Sequence, residues 1–130
     1  MVSAAASLAG WRARTLTPSG ALAAWTVGLL VLTGTGWQGG AVLAAFFVSS
    51  NLVSRLRPGP TPAGLDPKGD RRDLWQVYAN GGTAALGAVL GHGPLGIWLV
   101  TLTLAAAAAD TWATSIGLRS PVPPLPFPCA

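Results

Sequence analysis

No charged residue stands between Arg14 and Arg55, and none between Asp73 and Asp110. Stretches of that length without charge restrict a chain more than any motif does. Only 9% of the 130 residues are charged and 51% are hydrophobic, whereas an ordinary soluble domain carries about 25% charged residues. Apolar runs long enough to cross a bilayer, separated by short charged segments, point to a membrane protein. In lipid every backbone group must be satisfied within its own segment, so helices are the available spanning structure. The expected fold is all-α: a multi-pass transmembrane helical bundle of about four short spans.

The spans are expected near residues 19–36, 38–53, 74–90 and 95–112. Thr17 and Pro18 give the first a helix-start signal, with Thr17 as N-cap and Pro18 at the first helical position. Its 18 or so residues rise roughly 27 Å, enough for one crossing at the short end of the range. Gly34, Gly36, Gly39 and Gly40 form an uncharged turn around Trp37. The third span is rich in small residues (Ala79, Gly81, Ala84, Ala85, Gly87, Ala88), which let helix backbones approach closely in lipid. Prolines 58, 60, 62 and 67 exclude regular helix over most of a central Pro/Gly-rich loop. Residues 1–10 are either a piece of helix or a frayed end. Residues 1–124 read as one partial membrane domain and 125–130 as an extended Pro-rich tail.

The distribution of Lys and Arg sets the orientation. Neither expected hairpin turn carries one; all eight lie in the N-terminal segment, the central loop with its flank, or at Arg119. The positive-inside rule then places the N-terminus, central loop and C-terminus in the cytoplasm, on the inner face of the cell membrane if the chain is bacterial. Lys68, Arg71 and Arg72 alternate with Asp66, Asp70 and Asp73, which argues against nucleic acid as a partner. The single cysteine, Cys129, excludes an intrachain disulfide. There is neither a Walker A sequence nor a GxGxxG after a strand, so any bound phosphate is held by side chains and helix ends.

Three groups of residues could carry chemistry. Lys68, Arg71 and Arg72 have the chemistry of a phosphate site, with Asp73 able to take Mg²⁺ beside phosphate oxygens; alternatively they form a positive flank with its salt-bridge partner. Gln76 and Asn80 are four apart on one helix face, in line with Asp73. They face either a water-filled cavity or a neighbouring helix as packing glue. Asp110 follows fifteen uncharged residues. It either ends the fourth span at the interface or, with Thr111 beside it, belongs to a metal or phosphate site, provided the helix continues past it. The charge distribution puts all three groups at one side of the membrane.

Four stretches in order, LTPSGALAAWTVG, AFFVSSNLVSR, K-x-x-R-R-D-L-x-Q-V-x-A-N-G-G and AAAAADTWATSIG, resemble one family. It is the domain-of-unknown-function 92 integral membrane family, which includes transmembrane protein 19 and plant phytyl-phosphate kinase. The resemblance runs from about Leu16 to about Pro124. It implies a kinase of isoprenoid (phytyl or prenyl) monophosphates, with CTP as phosphoryl donor and Mg²⁺ as metal. It implies Asp110, Asp73, Lys68 and Arg71 as catalytic residues, Asp110 and Asp73 also as metal ligands, and Arg72, Gln76, Asn80 and Thr111 as substrate-binding residues. The implied partners are the bilayer and an isoprenoid phosphate lipid, with a second copy or further helices completing the bundle. Two departures favour an alternative. Ser115 stands where the family pattern has an acidic residue, and the chain is shorter than family members, as a truncated one would be. The alternative is a catalytically inactive fragment or a structural membrane protein; a transporter is a third option.

Overall fold

A computed structural model of the chain describes residues 1–55, 71–91 and 93–117. The central loop, Lys68, His92 and the Pro-rich tail lie outside the described residues. Four helices follow in order: α1 Val2–Arg12, α2 Pro18–Arg55, α3 Leu74–Gly91 and α4 Gly93–Gly117. The fold is the expected all-α bundle. Extended pairing among the described residues is confined to one isolated parallel bridge between Leu16 and Arg72.

The start of α2 is the one the sequence predicts. Gly20 N–H donates to Thr17 Oγ1 at 3.0 Å and Ala21 N–H to the Thr17 carbonyl at 2.8 Å. Pro18 at the first helical position has no N–H to leave unsatisfied. α2 is broken at Gly36, where φ is +67°, a left-handed conformation that costs glycine no Cβ clash. The chain reverses there. A Cβ built at Gly10 would meet both Leu16, just before α2, and Phe47 near its far end. Residues 37–55 therefore run back past residues 18–35, as the two expected spans joined by a glycine turn require.

α3 and α4 pack against each other and both pack on α2, while α1 packs on α2 alone among the described helices. The shared core is Val27, Val31, Phe46, Ala84, Ala85, Ala88, Val100 and Leu104. Three of these are alanines of α3, so the contacts are close and the side-chain volume small, as in helix pairs packed in lipid. At the opposite surface Leu22, Trp25, Leu29, Leu30, Trp98 and Leu102 are exposed, a covering suited to hydrocarbon. Two helices, α2 and α4, are long and apolar enough to cross a membrane. α3 has the length for it, at 18 residues, but is not among them. α4 extends to Gly117 rather than stopping near residue 112. Neither Gly nor Pro interrupts residues 97–116, so the hydrogen-bond ladder has no reason to end at Asp110.

Ser50 is an exception to the apolar packing. It is fully buried, and its Oγ has no hydrogen-bond partner among the described residues. A buried hydroxyl left unpaired costs about 1–3 kcal/mol. Ser50→Ala is therefore expected to raise the thermal unfolding midpoint of the purified protein in detergent. A lower midpoint for the variant would mean that the hydroxyl is paired in the folded membrane protein.

Candidate functional site: a cavity with one cationic end

The segment before α3 is tied to the segment before α2. Arg72 N–H donates to the Thr15 carbonyl, and Thr17 N–H donates to the Arg72 carbonyl, each at 3.0 Å. Thr17 Oγ1 adds a longer bond to the same carbonyl at 3.3 Å. Arg71 Nη2 donates to the Leu16 carbonyl at 2.9 Å. These bonds fix the backbone on both sides of the Arg72 side chain. Desolvation by burial pulls its guanidinium below the ordinary arginine value, yet arginine remains a cation in proteins. Among the described residues the guanidinium has no carboxylate partner.

α3 opens with a reciprocal cap. Gln76 N–H donates to Asp73 Oδ1 at 3.0 Å, and Asp73 N–H donates to Gln76 Oε1 at 3.2 Å. This is a capping box with Asp in the N-cap role, satisfying two helix-terminal donors. Asp73 is engaged beyond this pair as well. Its first duty is thus structural.

Arg72, Gln76 and Asn80 are among the residues lining a cavity of about 550 Å³, Arg72 level with the start of α2 and Asn80 beside Gly81, which lies against Val27. That volume is within the range of small-molecule sites, roughly 300–1,000 Å³. Beyond these residues its walls are apolar or small. α1 contributes Ser3, Ala6 and Ser7; α2 contributes Ala24, Val27, Gly28, Leu32 and, from residues 37–55, Gly40, Ala44 and Phe47. Ser7 Oγ donates to the Ser3 carbonyl at 2.8 Å, which leaves this wall less polar than its composition. Asn80 has no hydrogen-bond partner among the described residues, so its amide is available to the cavity.

The expected site residues therefore divide. Arg72, Gln76 and Asn80 converge on the cavity. Arg71 is exposed beside it, with one guanidinium nitrogen committed to Leu16. Asp110 is exposed and Thr111 half-buried on α4, and neither lines the cavity. A Cβ at Gly87 would lie 2.8 Å from Leu99 Cβ, and one at Gly91 2.7 Å from Gly96 Cα. α3 and α4 thus form an antiparallel hairpin, and Asp110 near the end of α4 lies towards the Asp73 end of α3. No group of three or more His, Cys, Asp or Glu that could hold a metal occurs among the described residues. Ser49 and Asn51 bond back to the carbonyls of Phe46 and Phe47 and are used locally.

Two parts of the site escape a reading of the sequence. The Leu16–Arg72 bridge joins residues 56 positions apart through backbone atoms, and backbone pairing leaves no mark in residue spacing. Phe47 and Trp37 form cavity wall only because the chain reverses at Gly36. The glycine cluster predicts the reversal, but not which faces it brings together.

A family model described as integral membrane protein DUF92 matches residues 1–126. The uncharacterized membrane protein sll0875 of Synechocystis sp. (strain ATCC 27184 / PCC 6803 / Kazusa) is 28% identical over 110 residues, 78% of this chain and 43% of that protein. The chain thus spans less than half the length of the curated relative it matches. No solved structure matches the chain.

Proposed function

Because the chain belongs to the integral membrane family DUF92, and hence to the bilayer, we propose that it acts on an anionic lipid, as a CTP-dependent kinase of isoprenoid monophosphates. The observation that carries this reading is the cavity lined by Arg72, Gln76 and Asn80 and otherwise by apolar or small residues. A desolvated arginine with no carboxylate beside it among the described residues attracts a phosphate and offers it a planar, forked donor. The remaining walls suit an isoprenoid tail. The positive-inside rule puts the Arg72 end in the cytoplasm, where CTP is.

In the proposed reaction an oxygen of the lipid monophosphate attacks the γ-phosphorus of CTP. The bond from that phosphorus to the β-phosphate oxygen breaks, CDP leaves, and the lipid becomes a diphosphate. Arg72, Gln76 and Asn80 hold the accepting phosphate. Arg71, exposed beside the cavity, and Lys68 offset charge on the transferred group. Mg²⁺ usually takes one or two carboxylates plus substrate phosphates. Asp110, exposed and without a partner among the described residues, suits that minimal need; Asp73 is the second candidate, with one oxygen already given to the α3 cap. Bound there, the metal would neutralise phosphate charge. Thr111 adds a hydroxyl beside Asp110. A second copy of the chain, or further helices, would cover Asp110 and complete the bundle.

A non-catalytic membrane protein is the second reading. It draws on the capping role of Asp73 and on Ser115, which is buried where the family pattern expects an acid. Phosphoryl transfer from radiolabelled CTP to phytyl or geranylgeranyl phosphate, in membranes containing the chain, separates the two. The kinase reading expects labelled lipid diphosphate, reduced at least tenfold by Asp110→Asn. Transfer unaffected by that substitution removes Asp110 from the mechanism. No transfer, with the lipid phosphate still bound, leaves the non-catalytic reading.

A further inference from the structure

The contact between α1 and the first half of α2 has two flanks, and only one of them borders the cavity. Ser3 meets Gly28, and Gly10 meets Leu16, so α1 runs antiparallel to residues 18–28. The buried residues of α1 are Ser3, Ser7 and Gly10. At about 100° per residue, Val2 and Ala6 turn to one side of that line and Ala4, Leu8 and Trp11 to the other. The first pair borders the cavity. The second set, with Pro18, Ala21 and Trp25 of α2, lines a separate open groove of about 450 Å³.

We infer that this groove binds one anionic glycerophospholipid of the surrounding bilayer. An acyl chain lies along the groove, and the headgroup phosphate meets Arg12 and Arg14. The site is distinct from the cavity and independent of the kinase reading. Arg12 is four residues beyond Leu8 and so continues the groove's stripe on α1. Arg14 N–H donates to the Trp11 carbonyl at 3.0 Å, which holds its backbone against the groove. Both arginines are exposed, and no Asp or Glu precedes Asp66 in the sequence. Asp73 adjoins Arg72, whose carbonyl a Cβ at Gly20 would meet. Gly20 lies about 160° around α2 from Pro18, so that acid is turned away from the groove. Arg14 also holds φ at +58°, where a Cβ is crowded and glycine is not. The turn into α2 thus carries a cation where glycine would suit the backbone better.

Depth and symmetry single out a lipid. From Pro18 to Trp25 the helix rises about 10 Å, within the roughly 15 Å of hydrocarbon in half of a 30 Å core. The groove therefore starts at the arginines and ends in the same leaflet, as an acyl chain does. Trp11 and Trp25, both exposed, give it aromatic walls. A second copy seated here about a two-fold axis along the membrane normal would bring both pairs of arginines together at one end.

The test is native mass spectrometry of the purified full chain in detergent with equal phosphatidylglycerol and phosphatidylcholine of the same acyl chains. Each arginine near an anionic headgroup contributes about fivefold in affinity, so phosphatidylglycerol should be preferred roughly 5- to 25-fold. Arg12→Gln and Arg14→Gly should each lower that preference. Arg14→Gly should do so without lowering the unfolding midpoint, because glycine accepts the positive φ. Ala21→Phe should fill the groove and reduce retention of both lipids. Arg55→Gln, at an exposed arginine outside the groove, is the control. Equal retention of the two lipids, or a preference unchanged in Arg12→Gln and Arg14→Gly, overturns the inference. So does a preference lost equally in Arg55→Gln, or lost in Arg72→Gln, which would put the lipid in the cavity. A dimer that Ala21→Phe dissociates would place a second copy in the groove and overturn it too. The expected preference in a chain that transfers no phosphate from CTP supports the groove and removes the kinase reading alone.

Discussion

Arg72→Gln is expected to reduce binding of geranylgeranyl phosphate by roughly 10- to 150-fold, while Arg71→Gln changes it little. The difference follows from where the two neighbouring arginines sit. The Arg72 guanidinium lines the cavity, is desolvated, and has no carboxylate among the described residues. A hydrogen bond to a charged group contributes about 1.5–3 kcal/mol, and each 1.4 kcal/mol is a factor of ten in affinity. Glutamine keeps the polarity and some of the length, but neither the charge nor the fork. Arg72→Lys should recover part of the affinity, because an ammonium binds phosphate as a point charge. Arg71 is exposed and already donates to the Leu16 carbonyl, so its charge is screened by water and acts from outside the cavity. The measurement is lipid-phosphate binding by the purified chain in detergent, with the unfolding midpoint recorded for each variant. If Arg71→Gln costs more affinity than Arg72→Gln, the phosphate lies in the polar rim and the cavity is not its site.

That contrast also marks the limit of what the sequence discloses. Arg71 and Arg72 are alike as letters, and a reading of charge places both in one cationic cluster. Only the bridge to Leu16 turns one towards the cavity and the other towards a carbonyl. The stripe of Asp73, Gln76 and Asn80 was legible from helical spacing, and two of its members line the cavity. Asp73 left the stripe because a helix start needs its first amides satisfied, and Gln76 three residues later completes the box. The Asp-x-x-Gln signature was present in the sequence, but it could equally have meant a metal ligand. The helices themselves were legible, since charge-free runs bounded by Thr17-Pro18, Gly36 and Gly91 leave little choice. The cavity was not, because its walls come from four segments with no polar pattern in common.

Gly20→Ala tests whether the bridge, rather than the Arg72 side chain alone, makes the site. A Cβ at Gly20 would run into the carbonyl oxygen of Arg72. That oxygen cannot swing aside as a flexible side chain would. It accepts from Thr17 N–H and Thr17 Oγ1, and the Arg72 amide is held by Thr15. To admit the methyl, the Arg72 strand must lift from the start of α2. Overpacking costs about 1–3 kcal/mol, and each hydrogen bond lost about 1 kcal/mol more. Against this stands the better helix propensity of alanine, worth up to about 1 kcal/mol. The net expectation is destabilisation by roughly 1–4 kcal/mol, from those overpacking and hydrogen-bond terms, together with weaker lipid-phosphate binding as Arg72 is displaced. Two other glycines separate strain from displacement. Gly36→Ala meets nothing within 4 Å but must hold φ at +67° and ψ at −157°, an essentially glycine-only region that costs about 1–3 kcal/mol; it should lower stability and leave binding intact. Gly82→Ala would make only ordinary contact with Tyr78, at 3.9 Å, and should be neutral or stabilising. If Gly20→Ala loses no more than Gly82→Ala in thermal unfolding and lipid-phosphate titration, the Leu16–Arg72 bridge does not hold the cationic end in place. A loss of stability with unchanged binding would mean that Arg72 reaches the phosphate without it.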